Sequence, residues 1–257
     1  MTGRSSFPRT VLSAGILMAF CAADLRVQAD PGNADKGRQI HAVPLEAATM
    51  IIEFNSSARD VGVQFFLDSE GWTSIEIRDP QGVEIFSSES AGRLTRQGGG
   101  TELFLESVEP ELLDLSFAQF FRRFPAGAYQ LRGRTTDGEV TFGSAVFTHN
   151  IPAGPEVLSP VGPGGTCAVD VPIPVLVAWN PVTTSQFGDP IDIKGYEVIV
   201  ENDLDTNFDV HMPAEQGTQL TVSSEVLKPG HDYIFEVLAI EDGGNQTITE
   251  GCFSTAP

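Results

Sequence analysis

Apolar and polar residues alternate along most of this chain with a period of two, the pattern of strands that bury one face. From Ala48 the run Met50-Ile51-Ile52-Glu53-Phe54 is rich in β-forming residues, and Val61, Val63, Phe65 and Leu67 recur at every second position. Residues 74–78 and 83–86 flank Asp79-Pro80-Gln81-Gly82, with proline second and glycine fourth, which predicts a hairpin. Tyr129, Leu131 and Gly133 keep phase in a later run, Asp137-Gly138 turns the chain, and 139–148 returns as another strand. Gln97-Gly98-Gly99-Gly100 reads as a flexible loop. No helix-opening Lys-Ser/Thr follows it, so it does not fit a phosphate cradle.

One stretch breaks the period. Phe117, Phe120, Phe121 and Phe124 fall at i, i+3, i+4 and i+7, placing four rings on one helical face. Ser116 and Gln119 make a capping-box signature, Pro125 stops the helix, and Arg122 and Arg123 sit in its last turn, where the helix dipole favours cations. Such a stripe packs a helix onto a sheet. The segment 43–150 is therefore expected to be a β-sandwich with one short helix in a crossover. Asn150-Ile151-Pro152-Ala153-Gly154-Pro155 has linker composition stiffened by two prolines, and a second β-rich domain is expected over 151–257. The fold class expected is mainly β, two immunoglobulin-like sandwiches in tandem.

In the second half, Val175, Val177 and Trp179 share a strand face, as do Tyr196, Val198 and Val200. Leu227-Lys228-Pro229-Gly230-His231-Asp232-Tyr233 then leads into Phe235, Val237 and Ala239 in phase. The buried Trp179, the strand Tyr196 and the Leu227…Tyr233 corner resemble a fibronectin type III domain over about 153–257. The whole arrangement resembles exported bacterial proteins that pair such a domain with a second sandwich and lend no defined activity. The resemblance implies a tyrosine corner at Tyr233, its hydroxyl bonding back to nearby backbone. It also places Cys167 and Cys252 at one pole. Pro125-x-Gly-x-Tyr129 with Asp137-Gly138 echoes the Pro229-Gly230…Tyr233 and Asp242-Gly243 run, which suggests a related corner in the first half. No Arg-Gly-Asp is present, so integrin-type binding has no support.

The first 29 residues read as a cleavable signal peptide: Arg4 and Arg9, a short apolar stretch from Val11 to Ala23, then Val27-Gln28-Ala29. Phe20 before Cys21 departs from a lipid-anchor motif, and the apolar stretch is shorter than the roughly 20 residues of a bilayer span. Residues 30–42 read as a loose tail. The expectation is a secreted or periplasmic protein without membrane insertion once the leader is removed. Two cysteines then remain, Cys167 and Cys252, and an even count in an exported chain suggests a disulfide.

Cleavage removes three of the 15 basic residues and one of the 35 acidic ones, leaving a net charge near −22. Only Lys36, Lys194 and Lys228 are lysines. A surface this acidic repels phosphate backbones, which excludes nucleic acid, and it favours solubility or the gathering of divalent cations.

Catalytic motifs are missing: no Gly-x-Ser-x-Gly, no His-Glu-x-x-His, and His41, His149, His211 and His231 lie far apart in sequence. No enzyme activity and no cofactor is expected. Asp68 and Glu70 before Trp72 read as solvated acids beside a turn. Asp203, Asp205, Asn207 and Asp209 alternate like calcium ligands, but Phe208 stands where an EF-hand loop needs glycine and Ala214 where it needs glutamate. They read as loop residues, and no metal site is assigned. The functional expectation is a non-catalytic scaffold contacting an unidentified protein partner. The alternative is a carbohydrate-binding accessory protein with Trp72 as its ligand contact, which requires that ring to face solvent.

Overall fold

The computed structural model describes residues 42–202, 204 and 206–257. The signal peptide 1–29, nearly all of the tail 30–42, and Asp203 and Asp205 lie outside the described residues. The first half contains β1 (Ala42–Pro44), β2 (Ala47–Asn55), β3 (Asp60–Arg78), β4 (Glu84–Glu89), α1 (Arg93–Gln97), β5 (Gly100–Glu106), α2 (Phe117–Arg123), β6 (Gly127–Thr135) and β7 (Val140–Phe147). The second contains β8 (Val157–Ser159), β9 (Ala168–Val171), β10 (Val175–Trp179), β11 (Ile193–Glu201), β12 (Asn207–Pro213), β13 (Gln219–Val222), β14 (Asp232–Glu241) and β15 (Gln246–Thr255). The protein is mainly β.

The alternating positions of the sequence do point inward. Val61, Val63 and Leu67 are almost wholly buried in the first core with Ile52, Phe54 and Phe147. Val177, Trp179, Val198, Val200, Phe235 and Val237 are buried in a second core. Around that second core, β8, β10 and β13 make one sheet, while β12, β11, β14 and β15 make the other. This two-layer order is fibronectin type III-like. The Tyr233 hydroxyl accepts the backbone N–H of Lys228 at 2.8 Å, so the expected corner is present. Tyr196 works similarly, accepting the N–H of Val182 at 2.9 Å while its ring lies 5.2 Å from Trp179. In the first half the Tyr129 hydroxyl donates to the Pro125 carbonyl at 3.1 Å, which gives the sequence echo a physical counterpart.

Strand β3 departs from the sequence reading. Residues 61–67 and 74–78 read as two strands with a turn around Asp68 and Glu70, but they form one bent strand of 19 residues. Its first part pairs with β2 and β5 and its second with β4 and β6, so one strand takes part in four pairings of the same sheet. The bend falls between Asp68 and Trp72, where the register shifts. Packing of the Trp72 indole explains why the chain does not turn away: it is 5 % exposed and belongs to the first core.

The triple glycine is part of the same device rather than a slack loop. Gly99 has φ +80, and a Cβ there would stand 2.1 Å from the Trp72 carbonyl oxygen. At Gly100, which pairs with Trp72, a Cβ would lie 2.7 Å from the indole ring. Gly99→Ala is expected to destabilise by about 2 kcal/mol, combining left-handed strain with a backbone clash. Urea unfolding of the variant checks this, and a change within 0.5 kcal/mol, the usual size for surface sites, would show that the loop yields.

The helix α2 begins with the expected capping box, Ser116 with Gln119. Phe120 is buried, while Phe117, Phe121 and Phe124 pack partly against the first core. A second short helix, α1, carries no buried residue, so no apolar period announces it. The tail's last residue, Ala42, opens β1, which runs parallel to β7.

The two cores are joined by a continuous sheet. The last strand, β15, pairs in parallel with β2: Gln246 with Glu53, Thr247 with Phe54, Ile248 with Asn55. Asn245, 2 % exposed, accepts the Ile52 N–H at 2.8 Å and donates to Thr148 Oγ1 at 2.8 Å and the Asn150 carbonyl at 3.1 Å. Phe187, from the loop before β11, packs edge-on to Phe117 and Phe121 of α2 at 5.3 and 5.9 Å. The linker composition of 150–155 therefore hides a packed segment: Ile151 is fully buried, and the Pro152 carbonyl accepts the Thr247 hydroxyl at 2.6 Å.

Candidate functional site

A row of carboxylates crosses one face of the joined sheet. Residues directly opposite in an antiparallel pair share a face, as do residues two apart on one strand. Glu236 stands opposite Glu250 on one side and Ile199 on the other. Ile199 lies two residues from Glu197, and Glu197 stands opposite His211 of β12. Asp209 shares the face of His211. Gln246, four residues before Glu250, continues the row to its partner Glu53. The opposite face of β12 carries Phe208, Val210 and Met212 toward the second core. That alternation makes 207–213 a strand, whereas the sequence reading took the region as loop.

Much of this face is hidden from water. Glu53 is 8 % exposed and Glu197 only 1 %, with Leu238, Ile240 and Ile248 buried among them. Burial is the main force on their protonation. It pushes the Glu53 carboxyl up to about 7, opposed by hydrogen bonds from Gln246 and Gln64 and reinforced by the charges of Glu106 and Glu197. Glu53 Oε2 accepts from Gln64 Nε2 at 2.9 Å and from Gln246 Nε2. Glu236 is raised to about 8, by burial first and then by Glu250, Glu53, Glu201 and Glu197.

At the far end of the row His211 Nε2 stands 3.2 Å from Glu197 Oε1. The close approach of the Glu197 carboxylate raises the imidazole's affinity for a proton, with the charges of Glu197 and Asp209 adding to it. Asp209 is raised to about 6 by burial and by the Glu197 charge. One ligand-type atom from each of Glu197, Asp209 and His211 lies within 4.8 Å of the other two. Glu53, Glu106 and Glu109 form a second such trio, made of carboxylates alone.

Of the calcium candidates, Asn207 and Asp209 lie on the strand rather than in a loop, and Asp203 and Asp205 lie outside the described residues. In the sequence His211 stands only as one of four histidines far apart from one another. Its partner Glu197 lies on a different strand, so spacing alone could not pair them. The usable signal was Asn207, Asp209 and His211 alternating with three apolar residues.

Trp72 is a correction. Its indole fills the first core instead of facing solvent, so it offers no platform for a sugar ring and the carbohydrate reading loses its main support. Trp179, Tyr196, Leu227 and Tyr233 are all buried structural residues. His149 stacks on Phe121 with ring centres 3.9 Å apart, its Nε2 2.8 Å from the Phe124 carbonyl. Cys167 and Cys252 form a disulfide with Cα atoms 4.7 Å apart, an ordinary spacing for this bond. A shallow open trough of about 490 Å³ over β3, β4 and β6 gathers Ser74, Ser87, Ser88, Glu76, Arg132 and Arg134, without a histidine or cysteine to activate a hydroxyl. No helix among the described residues is long and apolar enough to cross a membrane.

No family model matches the chain, and no curated protein matches it. Among solved structures it is similar to a tetra-tandem repeat from the extending region of a large adhesion protein, at 10 % identity and a TM-score of 0.29. That match covers 81 % of this chain and 49 % of the other. It is also similar to the FN1–FN3 domains of chicken CNTN1, at 11 % identity and a TM-score of 0.31, covering 83 % of this chain and 65 % of that one. The chain thus spans about half of the first neighbour and just under two thirds of the second, and scores this low carry no functional inference.

Proposed function

We propose that this protein is an exported, non-catalytic binding scaffold that contacts a protein partner through the loops and edges of its two sandwich layers. The observation that supports it is the weld between the cores. Parallel pairing of β15 with β2, the buried Asn245 and the Phe117–Phe121–Phe187 cluster hold two sets of loops at a fixed separation. Surfaces fixed before contact lose little freedom on binding, so modest contacts suffice for specific recognition. Between β5 and α2 the welded unit also presents Val108 and Leu113, 89 % and 92 % exposed, as apolar contact points.

The test is photo-crosslinking of the intact chain, with the probe at position 113, in the cells that export it. One protein partner, recovered saturably and displaced by unlabelled chain, is the expected result. Retention on cell-wall polysaccharide with no protein recovered would overturn the reading in favour of carbohydrate binding.

A further inference from the structure

We propose that Glu197, Asp209 and His211 bind a single late first-row divalent cation, zinc foremost, at the edge of the joined sheet. The strands supply the geometry without any loop. Antiparallel pairing sets Glu197 directly across from His211, and the period of two brings Asp209 to the same face. Two ligands on one tetrahedral zinc stand about 3.4 Å apart, given metal–ligand bonds near 2.1 Å. Glu197 Oε1 and His211 Nε2 are already 3.2 Å apart. The third ligand comes from an exposed side chain on a partly open strand, within 4.8 Å of both others, so rotation of Asp209 closes the set.

A second observation points to a ligand here. Glu197 is 1 % exposed, and its Oε1 is sealed from water without a well-aligned hydrogen bond, its one close polar neighbour being His211 Nε2 at 3.2 Å. A carboxylate held this way is costly to bury unless a cation meets it, and a neutral imidazole does not supply that charge. The oxygen faces the two exposed ligands, which provide the entry path. Imidazole nitrogen selects against calcium and magnesium, which take oxygen ligands, and suits zinc and its neighbours. Three protein ligands leave one position for water or an outside donor. This site differs from an EF-hand-like run through Asp203 to Asp209: it uses one of those residues and draws the other two ligands from elsewhere.

Isothermal titration of the intact chain with zinc chloride tests the proposal, with calcium chloride alongside. The expected result is saturable one-to-one zinc binding, weakened roughly tenfold or more in both His211→Ala and Asp209→Asn. Both substitutions fall on exposed side chains, and circular dichroism confirms that the variants fold. His231→Ala, at another exposed histidine, is expected to bind as the parent does. Absence of zinc binding would overturn the assignment, as would His211→Ala titrating like the parent, or calcium binding as tightly as zinc.

Discussion

Replacing both Cys167 and Cys252 with serine is expected to lower the unfolding free energy by about 4 to 5 kcal/mol, because the bond closes a long loop. The two residues are separated by 85 positions, and in the chain-entropy picture the stabilisation grows with the logarithm of that length. For a chain of this size the melting temperature should fall by roughly 10 to 20 °C. Position magnifies the consequence. Cys167 precedes β9, which pairs with β15 through Ala168 and Phe253, and Cys252 lies within β15 itself. That same strand is the weld to β2, so loosening it loosens both cores. Urea unfolding followed by tryptophan fluorescence and far-ultraviolet dichroism measures the loss. Trp72 lies in the first core and Trp179 in the second, so if the weld softens the summed fluorescence transition of the serine variant should broaden and part from the dichroism transition. A loss below about 1 kcal/mol would mean that packing alone holds the strand.

The second core was legible in the sequence because its signals are local. Val175, Val177 and Trp179, or Tyr233, Phe235 and Val237, mark a buried face by alternation alone, and the tyrosine corner spans only a few residues. The capping box of α2 is equally short-range. What escaped was set by pairing between distant segments. The period of two marks one buried face, but Glu53, Glu197 and Gln246 are buried on the opposite face, where alternation predicts solvent. No local pattern could announce that β2 and β15, 193 residues apart at the Ile52–Asn245 contact, would lie side by side. Gly98-Gly99-Gly100 failed for a related reason. Glycine signals backbone freedom, yet here it serves close approach to Trp72, and the two uses look alike in sequence. Polar residues on buried faces also break the consistency expected between local pattern and global fold, and such breaks concentrate where a protein binds something.

The buried carboxylate at the weld should make the stability of this protein fall as pH rises. Glu53 has a folded-state value near 7 against an ordinary 4.5, raised chiefly by burial. The folded state therefore holds the proton more tightly than the unfolded chain. The stabilisation is fully present below about pH 4.5, is lost progressively as pH rises through 7, and has gone by about pH 8. The gap corresponds to about 3 kcal/mol. The groups around Glu53 set the size of the effect: Glu106 and Glu197 add negative charge, while Gln64 and Gln246 supply the hydrogen bonds that keep the shift from being larger. Glu53→Gln keeps the side chain's shape and an acceptor oxygen for those amides but cannot ionise. It should match the parent near pH 4.5, exceed it by up to about 3 kcal/mol at pH 8, and show a flatter melting profile between. A residual slope should remain from Glu236, whose own value is near 8. Denaturant unfolding at intervals from pH 4.5 to 8.5 reads both curves. Parallel profiles for parent and variant would locate the pH dependence elsewhere. A variant weaker at pH 8 would show instead that the ionised carboxylate is a net support of the joint between β2 and β15.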